Sequence, residues 1–223
     1  LSGPRSEVVE GPGRSTGSGR VASRAGAAVA GAVAALALAA GVGAAAGVFY
    51  VWGLGPALVG LAAGAGVGFA LLTLEGAVPP GAWRLAALGV ALGWVALQVA
   101  DDLRFRAAFR EDRVAASFED SGAPPEAVLE EGDEAFYGRG ADEALEAQVV
   151  AETGHGGFVG RWLFRAREGV RLFGSWRHGR GLPVGLPGAV VASVLELLLG
   201  LYAARALLGR IGRSVLAEGE AAG

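Results

Sequence analysis

A chain of 223 residues that is 52% hydrophobic and only 18% charged carries more apolar matter than a water-excluded core of this size holds, so part of it is expected to face lipid. The formal net charge of -3, with all 19 basic residues being Arg dispersed over tails and loops, excludes nucleic acid as a partner. The absence of Cys excludes disulfides, thiolate metal sites and cysteine nucleophiles.

Lys, Asn and Met are absent as well, and the heavy use of Ala, Gly, Arg and Pro points to GC-rich codons. Each glycine motif is therefore read against a high glycine background. Without Met the chain has lost its initiator or is a piece of a longer one. Residues 1–20, rich in Gly, Ser, Pro and Arg, read as a disordered tail.

Residues 21–100 form an apolar block whose core, from Ala25 to Ala100, contains only two charged residues, Glu75 and Arg84. It divides into three stretches, Ala25 to Val51, Pro56 to Leu74 and Trp83 to Ala100. Each holds close to the roughly 20 residues that cross about 30 Å of hydrocarbon. None alternates with period two, so these are helices and not barrel strands. Ala44-Ala45-Ala46 resembles a signal-peptidase site, but the preceding apolar run exceeds the roughly 7–15 residues of a signal peptide, which favours an uncleaved span. Tyr50 and Trp52 fall where an aromatic belt belongs, and Gly53 to Pro56 makes a tight turn. Gly60, Gly64 and Gly68 in the second stretch, Gly43 and Gly47 in the first, and Gly89 and Gly93 in the third predict backbone-close packing within the chain.

Residues 101–185 are polar. Asp101-Asp102 and the run LRFRAAFREDR continue the third helix out of the bilayer, with Arg104, Arg106, Arg110 and Arg113 in the headgroup zone, until Ser121 to Pro125 breaks it. Two acidic helices are then predicted, Pro125 to Tyr137 and Ala141 to Glu152, separated at Gly138 to Gly140. The segment LEEGDEAFYGRGADEALEAQVVAE resembles a single tetratricopeptide hairpin, with Gly132, Ala144 and Ala151 at that repeat's small positions and Glu143-Ala144-Leu145 in its second helix. It departs from the pattern at Gln148, where a large aromatic is usual, and no second copy follows. The resemblance implies that the 125–152 hairpin is a surface for a protein partner.

After a break at Gly154 to Gly157, FVGRWLFRAREGVRLF places Phe158, Val159, Trp162, Leu163, Ala166, Val170 and Phe173 on one helical side, with Arg161, Arg165, Glu168 and Arg171 on the other. Such a basic amphipathic helix suits the bilayer interface, so Arg161, Trp162, Arg165 and Arg171 are candidate contacts to membrane lipid. Packing of that apolar side on the acidic hairpin is the alternative. Residues 186–209 hold a fourth span, Pro187 to Leu208, followed by a charged tail over 210–223.

Glu196 lies near the middle of the fourth span, where an ionisable group costs at least about 2.5 kcal/mol. It is expected to face the bundle, as a proton or cation site or as a polar lock to Gln98 or Arg84. Arg205 is nine residues on, on the opposite helix face. His155 and His178 would need Asp133, Glu134 or Glu152 to complete a metal site, and no ligand spacing supports one. G-x-S-x-G, Walker and H-E-x-x-H signatures are missing, so neither cofactor, metal nor enzymatic activity is expected.

The expectation is an all-α integral membrane protein with about four transmembrane helices and a helical polar insert between spans three and four. Arg is nearly balanced across the two sides. Because long loops count less in the positive-inside rule, cytoplasmic termini and an exported loop are favoured, in a bacterial cytoplasmic membrane. The function expected is that of a non-enzymatic scaffold, with a small transporter or channel subunit using Glu196 as the alternative.

Overall fold

The computed structural model describes residues 17–45, 50–121, 131–168, 173–174 and 185–221. Among them are six helices: α1 (Gly17–Ala45), α2 (Leu54–Glu75), α3 (Trp83–Ser121), α4 (Glu131–Thr153), α5 (Gly157–Glu168) and α6 (Gly185–Ala221). The fold is all-helical apart from one strand pair, β1 (Tyr50–Val51) and β2 (Phe173–Gly174). These run antiparallel with Tyr50 opposite Gly174 and Val51 opposite Phe173, tying the α1–α2 connection to the segment before α6.

Four helices are long and apolar enough to cross a membrane, over Gly19–Ala45, Leu54–Glu75, Trp83–Arg113 and Gly185–Val215. Helices α2 and α3 pack on each other, and both touch α1 and α6. No α1–α6 contact occurs among the described residues, so those two flank the central pair. Alternation of direction puts the start of α1, the α2–α3 turn and the end of α6 at one end of the bundle. The α1–α2 connection and the polar module built on α4 and α5 lie at the other.

Small residues set how closely these helices approach. On α2 the buried positions are Pro56, Val59, Gly60, Ala63, Gly64, Val67, Gly68 and Leu71, a stripe recurring every three to four residues. A Cβ on Gly60 would stand 2.0 Å from the Gly200 carbonyl oxygen, and one on Gly64 would stand 3.1 Å from that of Ala204. The α2–α6 seam is therefore backbone against backbone, as glycine at spacing four permits. A second seam joins α1 to its neighbours. There a Cβ on Gly66 would meet the Ala30 carbonyl oxygen at 2.6 Å, and one on Gly89 would meet that of Gly31 at 2.8 Å. The core filling these seams is Ala27, Ala35, Ala39, Val59, Ala63, Val67, Leu71, Ala86, Val90, Ala204 and Leu208. Outward stand large apolar side chains, among them Val33, Leu61, Phe69, Val95, Val194, Leu198 and Tyr202.

Helix boundaries differ from the expected ones in five places. The first stretch is expected as helix to Val51 and the amphipathic helix is expected to reach Phe173, but α1 ends at Ala45 and α5 at Glu168, and Tyr50–Val51 and Phe173–Gly174 pair as strands instead. α1 begins at Gly17, inside the expected tail, and α6 runs on to Ala221, through most of the expected charged tail. The expected division at Gly138 to Gly140 is absent: α4 passes through those residues as one helix from Glu131, so the acidic hairpin and the tetratricopeptide shape it implied are not formed there. Two isolated glycines cost a helix about 1 kcal/mol each, and the Ala/Glu/Leu-rich flanks outweigh that. The hairpin that does form is α4–α5. It turns at Gly154 to Gly157, where Gly154 (φ 73°) and Gly157 (φ 66°) take the left-handed backbone that glycine adopts without strain.

Candidate functional site

Two polar sites lie along α3. The first is inside the apolar bundle. Glu196, 8% exposed, projects from α6 toward α3. The Trp94 indole Nε1 donates to its Oε2 at 3.1 Å and the Gln98 Nε2 donates to the same oxygen at 3.5 Å. Trp94 and Gln98 are four residues apart, so one face of α3 presents both donors. Convergent N–H groups compensate the desolvation of a buried carboxylate, which suits it to holding helices together or to exchanging a proton. Arg84 sits ten residues before Trp94, and its guanidinium stacks 5.9 Å from the Trp83 ring, as does that of Arg205.

The second site begins one turn beyond Gln98. Asp102 is buried and Arg161 of α5 grips it with a fork, Nε to Oδ1 at 3.0 Å and Nη2 to Oδ2 at 3.0 Å, while Arg161 Nη1 donates to Glu146 of α4 at 3.1 Å. The two side chains of the Asp102–Arg161 pair are only 6% and 13% exposed. Hydrogen bonding to Asp102 pushes the Arg161 guanidinium pKa above its ordinary value. Arg165, one turn further along α5, pairs with Asp101 and lies 5.9 Å from the Phe105 ring. Above this, Leu145, Val149 and Phe164 form a small core with Phe105 and Phe109, the Phe105 and Phe164 rings 6.0 Å apart. Arg106 and Arg110 then converge on Asp142, Arg106 Nη2 at 3.2 Å and Arg110 Nε at 2.9 Å. The Arg110 hydrogen bond is the largest influence holding the Asp142 carboxyl below the usual aspartate range.

No protein-family model, curated protein or solved structure matches the chain. The residues themselves must carry the reading.

Of the residues singled out by sequence, Glu196 and Gln98 come together. Arg161 and Arg165 turn inward to carboxylates, Trp162 is half-buried on the same helix, and Arg171 lies outside the described residues. His155 is exposed at the α4–α5 turn and His178 lies outside the described residues. Among the described residues, no three His, Asp or Glu side chains group as metal ligands would. Trp94, Asp101, Asp102, Asp142 and Glu146 were not anticipated as partners. The available signal was spacing: Trp94/Gln98, Arg106/Arg110 and Arg161/Arg165 are all four apart, which puts each pair on one helix face.

Proposed function

We propose that the protein is a non-enzymatic, multi-pass protein of a bacterial cytoplasmic membrane, with cytoplasmic termini, whose bundle holds the α3–α4–α5 module in a fixed orientation for a partner protein. The observation that carries this reading is α3. At 39 residues it is about 58 Å long, nearly twice a hydrocarbon thickness, and it belongs both to the apolar bundle and to the ion-paired module. The outward Phe69, Val194, Leu198 and Tyr202 support burial of the bundle in lipid, since water-facing surfaces do not carry a continuous apolar belt. The solvent face of α4, with Glu143 and Ala147, is the surface offered to the partner.

A photocrosslinker at Ala147 in intact cells should give a discrete adduct that Glu143→Arg removes, while Glu196→Gln leaves it unchanged. Membrane-impermeant labelling should modify Glu143→Cys and spare Ser214→Cys. The second reading, a small transporter or channel subunit, draws on the buried Glu196 carboxylate and its two donors. It predicts the reverse: no adduct at Ala147, and loss of ion or proton flux in Glu196→Gln.

A further inference from the structure

We propose that α5 is an interfacial anchor that rests Phe158, Val159, Trp162 and Leu163 on the lipid surface at the boundary of headgroup and acyl chain, with its arginines serving as inward struts. The proposal rests on the membrane reading above and adds a lipid contact to it.

The height of α5 is set by its ion pairs. Arg161 and Arg165 are four residues apart, about 6 Å along α5, yet they engage Asp102 and Asp101, neighbours separated by about 1.5 Å of rise on α3. Helices running side by side would pair residues four apart with residues about four apart. Both guanidinium groups thus converge on one point of α3 and hold α5 at the level where the apolar stretch of α3 gives way to charge. α5 also packs against α6, which keeps it at the end of the bundle.

At that level the apolar surface is uncovered. Val159 is 57% and Phe158 39% exposed at the start of α5, while Ala166 further along the same side is buried; Val150 near the end of α4 and Val99 and Leu103, which bracket Asp101–Asp102 on α3, are exposed as well. The exposed side of α5 thus continues the belt of the bundle, which identifies its occupant as bilayer lipid.

The chemistry of the contact follows from where the charges go. Arg161 is taken by Asp102 and Glu146, Arg165 by Asp101, and Arg167 Nη1 donates to the Glu152 backbone carbonyl. With Arg161 and Arg165 paired to carboxylates and Arg167 held to backbone, the contact made by Phe158 and Val159 is chiefly apolar and depends little on anionic headgroups. A basic amphipathic helix with free arginines would behave oppositely.

The absence of Cys makes the test direct. Single cysteines replacing Val159, Glu143 and Leu198 would carry an environment-sensitive fluorophore in the full chain, reconstituted into phosphatidylcholine vesicles with lipid bearing a shallow or a deep doxyl quencher. Val159→Cys should lose most of its emission to the shallow quencher and Leu198→Cys to the deep one, while Glu143→Cys keeps its emission. Replacing part of the phosphatidylcholine by phosphatidylglycerol should leave Val159→Cys unchanged. Quenching at Leu198 with none at Val159 overturns the anchor and leaves the membrane reading standing. No quenching at either position overturns both. Quenching at Val159 that appears only with phosphatidylglycerol overturns the apolar contact in favour of headgroup charge.

Discussion

Replacing Gly60 by Ala tests whether the α2–α6 seam is held at backbone contact. The new Cβ would lie 2.0 Å from the Gly200 carbonyl oxygen, 2.7 Å from its carbon and 2.8 Å from its Cα. Against the 3.4 Å at which ordinary contact begins, the oxygen is 1.4 Å too near (3.4 less 2.0), and the obstacle is backbone, which cannot rotate away. The helices must separate by about an ångström, and the seam is already tight along its length: a Cβ would stand 3.1 Å from Ala204 at Gly64, 3.3 Å from Leu208 at Gly68 and 3.0 Å from Pro56 at Gly200. A gap of about 0.5–1 Å forfeits a quarter to a half of each dispersion contact. The expected loss is about 1–3 kcal/mol, the usual cost of overpacking, and it exceeds the roughly 0.5–1 kcal/mol that Ala gains over Gly inside a helix. Gly209→Ala, on the same α6 with nothing within 4 Å of its Cβ, isolates that helix gain. Unfolding in detergent micelles, followed by tryptophan fluorescence, should place Gly60→Ala below the parent and Gly209→Ala at or above it. Equal midpoints for the two variants would refute the backbone-contact seam.

Asp102→Asn removes the two-pronged partner of Arg161 and leaves it only the half-exposed Glu146 carboxylate, so the loss in cohesion of the module should fall below the roughly 3–5 kcal/mol of a wholly unpaired buried charge, at about 1–3 kcal/mol. The double variant Asp102→Asn with Arg161→Gln should recover part of that loss, read as protease susceptibility of α4 and α5. Asp142 has a folded pKa below its unfolded one, so its contribution is full above the unfolded value and is lost as pH falls through the folded one. Amide exchange in α4 should therefore be pH-independent, once corrected for intrinsic rate, from neutrality down to about pH 5. Below about pH 4 it should accelerate, and Asp142→Asn should remove that acid step.

The number of apolar helices was legible because length and apolarity set it, and those are properties of each stretch alone. Their ends were not. Beyond Leu208 the sequence turns polar but keeps Arg, Ala and Glu, strong helix formers, between three glycines and has no proline, so α6 continues past the expected end of the apolar span. Gly138 and Gly140 misled for a related reason: in a chain with 39 glycines, one inside a helix is ordinary and marks no boundary. The glycine seams were legible as a tendency, but Gly31 and Gly66, which make the closest α1–α2 approach, have no distinctive spacing. Glu196 and Gln98 could be named as polar residues within apolar stretches, whereas the Asp102–Arg161 pair could not. Spacing tells which side chains share a helix face, and only the tertiary arrangement tells which face meets which, here across 59 residues.

The two polar sites lie on one stripe of α3, since Trp94, Gln98, Asp102, Arg106 and Arg110 recur every four residues. The scaffold and transport readings make opposite demands on that stripe. A rigid mount needs each contact to act locally, while a gated carboxylate must pass its state along α3 to the module. Trp94 and Asp102 are eight residues, about 12 Å, apart on the helix and share no partner in the contacts described, which is beyond the range where substitutions ordinarily couple. For a rigid mount, Trp94→Phe removes one hydrogen bond and Asp102→Asn breaks the clamp, and the double variant should show the sum of the two losses to within about 0.5 kcal/mol. Unfolding of the four chains of this cycle in micelles measures it. A coupling energy well above that would mean that α3 transmits the state of Glu196 to α5, and the rigid-mount reading would fall to the transport one.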